Sequence, residues 1–302
     1  MKAVSTWVWW LIRRSWLSRR AAESQALFDL ACNYVAGQDV SDAVAVARTL
    51  RRQGLLLGFT HLSRHDSESD TPTILERLLE ALGDDAVGAE LSVKPSSVGL
   101  RDSVMNSRAV LRDLCGVAEA HGAHVTLEMQ RPQEYDDTLA LYRHVREEHP
   151  MLGITIPTNF HVAERECLRL GADDARVRLC TSTYPAGRDL AITSEREKSL
   201  ALVRCLRILM DSPGYPMLAT HDPRIIEIAH ALAHRNARTA ETFEFQMFHG
   251  VRPLEHRRLA DIGWRSRTCI PFGKGWYTYL ATRIAARPRT FWGYARAILD
   301  KR

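Results

Sequence analysis

Apolar residues in this chain fall into two alternating kinds of run. Short stretches rich in β-branched and aromatic side chains recur at 55–62, 89–96, 124–130, 152–158, 177–184, 215–222, 242–249 and 265–272. Runs of that kind are what strands buried in a parallel sheet require. Between them, apolar residues return at helical spacing over 74–82, 103–122, 138–149, 161–171, 194–211, 223–235 and 253–263. Successive strands begin 23 to 38 residues apart, the length of one strand–helix unit. Eight such units in sequence predict an α/β chain folded as a (β/α)8 barrel of TIM type. A doubly wound open sheet is the alternative, but the GxGxxG that usually follows its first strand is missing. Residues 21–54 read as lead-in helices, and 275–302 as closing helices split near Pro288.

Composition changes this picture only at the N-terminus. Hydrophobic residues make 45% of the 302 and charged residues 25%, a globular mixture that excludes a disordered or fibrous chain. Lys and Arg outnumber Asp and Glu by 41 to 36, but Lys2, Arg13, Arg14, Arg19 and Arg20 all precede the first acid. The remainder is balanced, so no nucleic-acid-binding surface is expected. The greasy run 3–12 is too short to span a bilayer, which takes about 20 residues. Arg13 and Arg14 stand where a signal peptide would be cleaved, so export is not expected. Four of the seven tryptophans (Trp7, Trp9, Trp10, Trp16) share this segment. Trp with Arg suits a helix lying on a membrane surface, and equally a helix packed on the body. The domain reading is a basic segment, 1–24, ahead of a barrel over 25–302. Six scattered cysteines without a CxxC pair read as reduced thiols in a cytoplasmic protein.

Active sites of such barrels lie at the C-terminal ends of the strands. Those ends hold Thr60, Lys94, Glu128, Arg178, Tyr184, His221, Asp222, Glu244 and Gln246. A single polar strand end is often an ordinary hydrogen-bonded residue, but polar groups at most of eight ends need a shared purpose. No HExxH, Walker loop or GxSxG elbow is present, and no catalytic metal is expected. A Schiff base on Lys94 is a minor alternative, since Arg178 faces the same cavity.

Six segments then carry a resemblance: NYVAGQDVSDAVAVARTLRRQGLLLGF, LSVKPS, VRLCTSTY, LATHD, FEFQMFHGV and CIPFGKGWYTYLATRIAARP. In that order they resemble proline dehydrogenase, a flavin-dependent distorted (β/α)8 barrel. The pairing of FEFQM with PFGxxWYxY and a later arginine is specific. The resemblance implies hydride transfer from the carbon beside a secondary amine to FAD, giving an imine. L-proline or a related amine is the implied substrate. A membrane quinone is the implied acceptor, with the protein cytoplasmic or peripheral at the inner face of the membrane. On this resemblance Lys94 faces the substrate carboxylate and Arg178 lies beside the flavin N5 edge. Thr220 and His221 support the FAD, and Gln246 is the motif glutamine. Tyr184 and Tyr279 box the substrate ring, and Arg283 clamps the carboxylate.

Several positions depart from the family pattern. Thr282 replaces the first of two paired arginines, Ala286 replaces a following glutamate, and Arg64 stands where a glutamate would pair with that first arginine. Cys269 replaces a tyrosine, Phe248 a leucine and Glu128 an aspartate. Pro157, Thr181 and Asp222 alter the flavin shell. A carboxylate that loses one of two guanidinium partners loses a charge-assisted bond of about 1.5–3 kcal/mol. Weak activity on L-proline and a preference for a differently shaped amine are the expectation. A catalytically degenerate barrel with a binding or regulatory role is the second reading.

Overall fold

The computed structural model describes residues 24–64, 70–182, 184 and 186–286. The expected N-terminal surface helix and the split at Pro288 lie outside the described residues. Eight strands form a closed parallel barrel in chain order. They are β1 (Leu56–His61), β2 (Glu90–Val93), β3 (His124–Leu127), β4 (Gly153–Pro157), β5 (Arg176–Cys180), β6 (Tyr215–Ala219), β7 (Glu244–Phe248) and β8 (Ser266–Phe272). Seven fall inside the stretches read from the sequence, and β5 begins one residue before its stretch. Closure is set by β1, whose Gly58 lies opposite Glu90 of β2 on one side and Cys269 of β8 on the other.

The strands alternate, with period two, between an apolar and a polar face. Leu57, Phe59, Leu91, Val93, Ile154, Ile156, Val177, Leu179, Phe245 and Met247 join the buried apolar core. The helices form the other half of that core. α1 (Gln25–Ala31) and α2 (Val40–Arg51) lead in. The outer ring is α3 (Thr71–Leu82), α4 (Val104–Ala120), α5 (Tyr135–Arg146), α6 (Ala163–Ala172), α7 (Glu195–Met210), α8 (Pro223–Arg235) and α9 (Pro253–Asp261). α10 (Trp276–Ala286) follows β8. Two helices start three residues earlier than their apolar spacing indicates. Pro72 is pre-organised for the first turn of α3, and a short 3-10 turn over 132–134 feeds α5. Ser103 caps α4 through Asn106 N–H (3.2 Å), and Gly122 follows it at φ +67°, where a side chain would be strained.

Three strand-end expectations are corrected. β5 ends at Cys180, and Tyr184 sits on the loop beyond it, 38% exposed. The Ser182 N–H donates to Asn159 Oδ1 (2.8 Å), which takes the chain off the sheet. Asp222 is the N-cap of α8, accepting from the Arg224 N–H (3.0 Å) and pairing with its guanidinium (2.7 Å). That side-chain bond holds its carboxyl below the usual range. Glu244 opens β7 rather than closing it, so it lies at the opposite end of the barrel from the mouth.

The turn from β8 into α10 passes close to the end of β1. A Cβ at Gly273 (φ +122°) would come within 2.6 Å of the Leu62 carbonyl, and one at Gly275 would overlap the Ser63 carbonyl. Only glycine lets these two backbones approach, and the approach seats α10 over the barrel mouth. Gly275→Ala is expected to cost about 1–3 kcal/mol, the usual range for overpacking, read as a lower midpoint in denaturant. An unchanged midpoint would show that the loop yields freely.

Candidate active site

The inner face of β7 organises the barrel interior in three tiers. Its inward residues Glu244, Gln246 and Phe248 are spaced about 6.6 Å apart, two residues at about 3.3 Å each. Each of them orients one arginine from another element.

The lowest tier is a closed ion network. Arg267 gives Glu244 a two-pronged pair (2.6 and 2.7 Å) and donates to the carbonyls of Leu57 (2.7 Å) and Gly88 (2.8 Å). Arg176 pairs with Glu90 at 2.6 Å, and the Thr126 hydroxyl donates to the other Glu90 oxygen. The Tyr215 hydroxyl donates to Glu244 (3.1 Å), and its ring lies 4.8 Å from the Arg176 guanidinium. Burial would raise the Glu90 carboxyl. The guanidiniums of Arg176 and Arg267 outweigh it and bring the group down to about 2. Glu244 is likewise held below its ordinary value, burial being opposed chiefly by Arg267. Two carboxylates meet two guanidiniums, so this tier is neutral.

The middle tier keeps its charge. Arg178, 7% exposed, donates from Nε to Gln246 Oε1 (2.7 Å), and Gln246 donates in turn to Glu244 (2.5 Å). The neutral amide orients the guanidinium without neutralising it. Arg178 Nη2 is buried with no hydrogen-bond partner. The Thr155 hydroxyl, one strand away in register with Arg178, is also buried and unpartnered.

The top tier is aromatic. The Arg283 guanidinium carbon lies 3.5 Å from the Phe248 ring centre and 4.4 Å from that of Tyr279. Its Nε is buried without a partner. The opposite neighbour of Phe248 is His221, stacked at 5.4 Å and 28°. The Phe248 N–H donates to His221 Nε2 (3.0 Å), which fixes that nitrogen as the acceptor and puts the ring proton on Nδ1. Thr220 continues the sheet to Gln246 O (3.2 Å) and accepts from the Asp222 N–H (3.2 Å). Lys94 and Glu128, both half-buried, directly follow β2 and β3 at the same end.

Arg178, Thr220, His221, Gln246, Tyr279 and Arg283 are thus joined by hydrogen bonds, ring contacts or the β6–β7 ladder, whereas Tyr184 lies on the exposed loop. Cys180 lies within electrostatic reach of Arg178, Glu128 and Arg283, and burial pushes its thiol up to about 11. Burial also raises the Cys269 thiol. Neither is a thiolate at neutral pH, so neither is an activated nucleophile. All six cysteines are free. Pro157 interrupts nothing in the sheet, because the Thr158 N–H carries the ladder on to Cys180 O (2.8 Å). The network of Glu90, Arg176 and Arg267 escaped the sequence reading. Its signal was the polar residue at every second position in ELSV, RVRLC, EFQMF and SRTCIPF.

A bound flavin needs donors at its ring and positive charge where reduction adds negative charge. The mouth supplies both: a buried, unpartnered Arg178 donor, a buried, unpartnered Thr155 hydroxyl, and cations at Lys94 and Arg283. The donor set fits such a group.

No family model matches the sequence. Proline dehydrogenase 1 of Bacillus subtilis subsp. natto is 30% identical over 272 residues, covering 89% of this chain and 90% of that protein. Proline dehydrogenase of Deinococcus radiodurans is 26% identical over 274 residues, covering 88% of each. Among solved structures, proline utilization A (PutA) from Bdellovibrio bacteriovorus, inactivated by N-propargylglycine, matches with a TM-score of 0.78 at 18% identity. The match covers 85% of this chain, which spans only 32% of that longer protein.

Proposed function

This chain belongs to the proline dehydrogenase family, and from that premise we propose that its barrel mouth binds FAD and one proline-like substrate between the Arg178 and Arg283 tiers. It is an oxidoreductase acting on the CH–NH bond of proline, a reaction for which a bound flavin would supply the hydride acceptor. The degenerate-barrel reading is not favoured. The observation that carries the proposal is the unneutralised Arg178, with a donor to spare, beneath an Arg283 that has no ion pair among the described residues.

On this reading Arg178 offers Nη2 to the flavin ring and Gln246 keeps that guanidinium in plane. His221 and Thr220 hold the adjacent rim. Arg283 and Lys94 would take the substrate carboxylate and so orient the substrate at the mouth. Tyr279 and Tyr184 flank the substrate ring, Tyr184 from a loop. Expression of the full chain, followed by anaerobic addition of L-proline, tests the reading. The flavin band should be present and should bleach. A colourless protein that gains no thermal stability from added FAD would sink it.

A quinone acceptor at a membrane surface, contacted through the basic segment 1–24, completes the proposal. Within the described residues no helix is long and apolar enough to cross a membrane.

The carboxylate clamp is thinner than the family pattern. Thr282 precedes Arg283 and turns its hydroxyl back to the Thr278 carbonyl (2.7 Å). Thr282→Arg alone would face a like charge at Arg64. Thr282→Arg combined with Arg64→Glu is expected to lower the KM for L-proline more than either single change. A single change that does as well as the pair would refute the gate argument.

A further inference from the structure

Arg283, the cation proposed to take the substrate carboxylate, has no protein carboxylate paired with it among the described residues, and its Nε is buried without a partner. A long, rotamer-rich side chain left in that state would sample many orientations, and binding would have to order it. What touches the guanidinium instead is a pair of aromatic rings: Phe248 at 3.5 Å and Tyr279 at 4.4 Å, the two rings edge-on to each other at 77°. Phe248 is itself fixed from two directions. It belongs to β7, opposite Cys269 of β8 in register, and its ring stacks on His221 while its N–H donates to that imidazole.

We propose that Phe248 is a positioning residue for substrate recognition, holding Arg283 by a cation–π contact in the orientation that receives the substrate carboxylate while leaving its charge unneutralised. The proposal deepens the proline-oxidation reading and rests on it for the identity of the carboxylate. The reasoning follows the tiers of β7. Glu244 holds its arginine with a full counter-charge, Gln246 with a neutral dipole and Phe248 with a π face. Charge available to a ligand therefore rises toward the mouth. An acidic residue at 248 would orient Arg283 as well, but it would compete with the substrate for the same guanidinium. An aliphatic residue would neither compete nor orient. Phe248 also ties the clamp to the rim, because the ring that holds Arg283 is the ring stacked on His221.

The test uses the purified full chain and two probes: cyclopentanecarboxylate, and cyclopentylmethanol as an uncharged control of similar size. Binding is read by thermal shift and by perturbation of the flavin spectrum. In Phe248→Leu the dissociation constant for the carboxylate should rise about tenfold, equivalent to ~1.4 kcal/mol, while that for the alcohol stays within twofold. The KM for L-proline should rise by a similar factor, with kcat much less affected. Phe248→Tyr keeps the ring face and should bind the carboxylate like the parent. Phe248→Met fills the volume without a ring and should behave like Phe248→Leu, which keeps the test open if the leucine variant folds poorly. In an Arg283→Met background, Phe248→Leu should add nothing further. Equal loss for both probes would reduce Phe248 to packing and overturn the proposal, as would an unchanged carboxylate constant. Failure of L-proline to bleach the parent flavin would instead strike the proline-oxidation reading, leaving the carboxylate series to decide this one.

Discussion

Glu244→Ala should cost this protein about 3–5 kcal/mol of stability, lowering Tm by roughly 10 °C. The charge is fully buried, and Arg267 reaches it with two bonds of 2.6 and 2.7 Å. Removing the carboxylate leaves a buried guanidinium with two backbone carbonyls and the more distant Glu90 (3.9 Å) as compensation. It also takes away the acceptor of the Gln246 amide. Adding Arg267→Met should restore part of the loss, because the stranded charge goes with it. The same network makes stability depend on acid. Burial alone would raise Glu90 and Glu244, but the surrounding arginines hold both below the ordinary 4.5, Glu90 at about 2. A depressed folded-state value means the stabilisation is complete above pH 4.5 and is lost as pH falls toward 2. Thermal melts across that window should show a steep loss in the parent and a shallower one in Glu244→Ala. Parallel curves would mean the acid sensitivity arises elsewhere.

Arg178→Met should slow anaerobic flavin reduction by L-proline about 10²–10³-fold, the range seen when one preorganised donor is removed from a developing negative charge. Arg178 is held by a hydrogen bond to a neutral amide and makes no ion pair among the described residues, so its charge is available at the reacting face. The fold should tolerate the change, because Gln246 remains bonded to Glu244 and the ion network below is untouched. The flavin midpoint potential should fall as well, since positive charge no longer favours the reduced form. Arg178→Lys should restore little, as an ammonium cannot both meet Gln246 in plane and present a second donor. A reduction rate within tenfold of the parent, with unchanged potential, would remove Arg178 from the assigned role.

The sequence by itself determined the barrel. Eight apolar runs with seven helical stretches between them admit few other layer arrangements, and the runs coincide with the eight strands. It also marked Arg178, Gln246, His221 and Arg283, because those residues sit in segments whose order and spacing resemble a known family. Helix starts were less legible. Pro72 and the turn at 132–134 begin helices before any apolar spacing is visible. Asp222 and Glu244 were misplaced for a related reason. A polar residue near a strand reads the same whether it caps the next helix, opens the strand or closes it. Only the tertiary structure decided how the interior charges are distributed. Glu90, Arg176, Glu244 and Arg267 are far apart in the chain, and their pairing depends on the barrel register, which brings β2, β5, β7 and β8 around one axis. The seating of Arg283 on Phe248 was likewise invisible, since it needs α10 folded back over the mouth through two glycines. Pattern along a chain fixes which face of each element is apolar; which charge meets which partner across the barrel is fixed by closure.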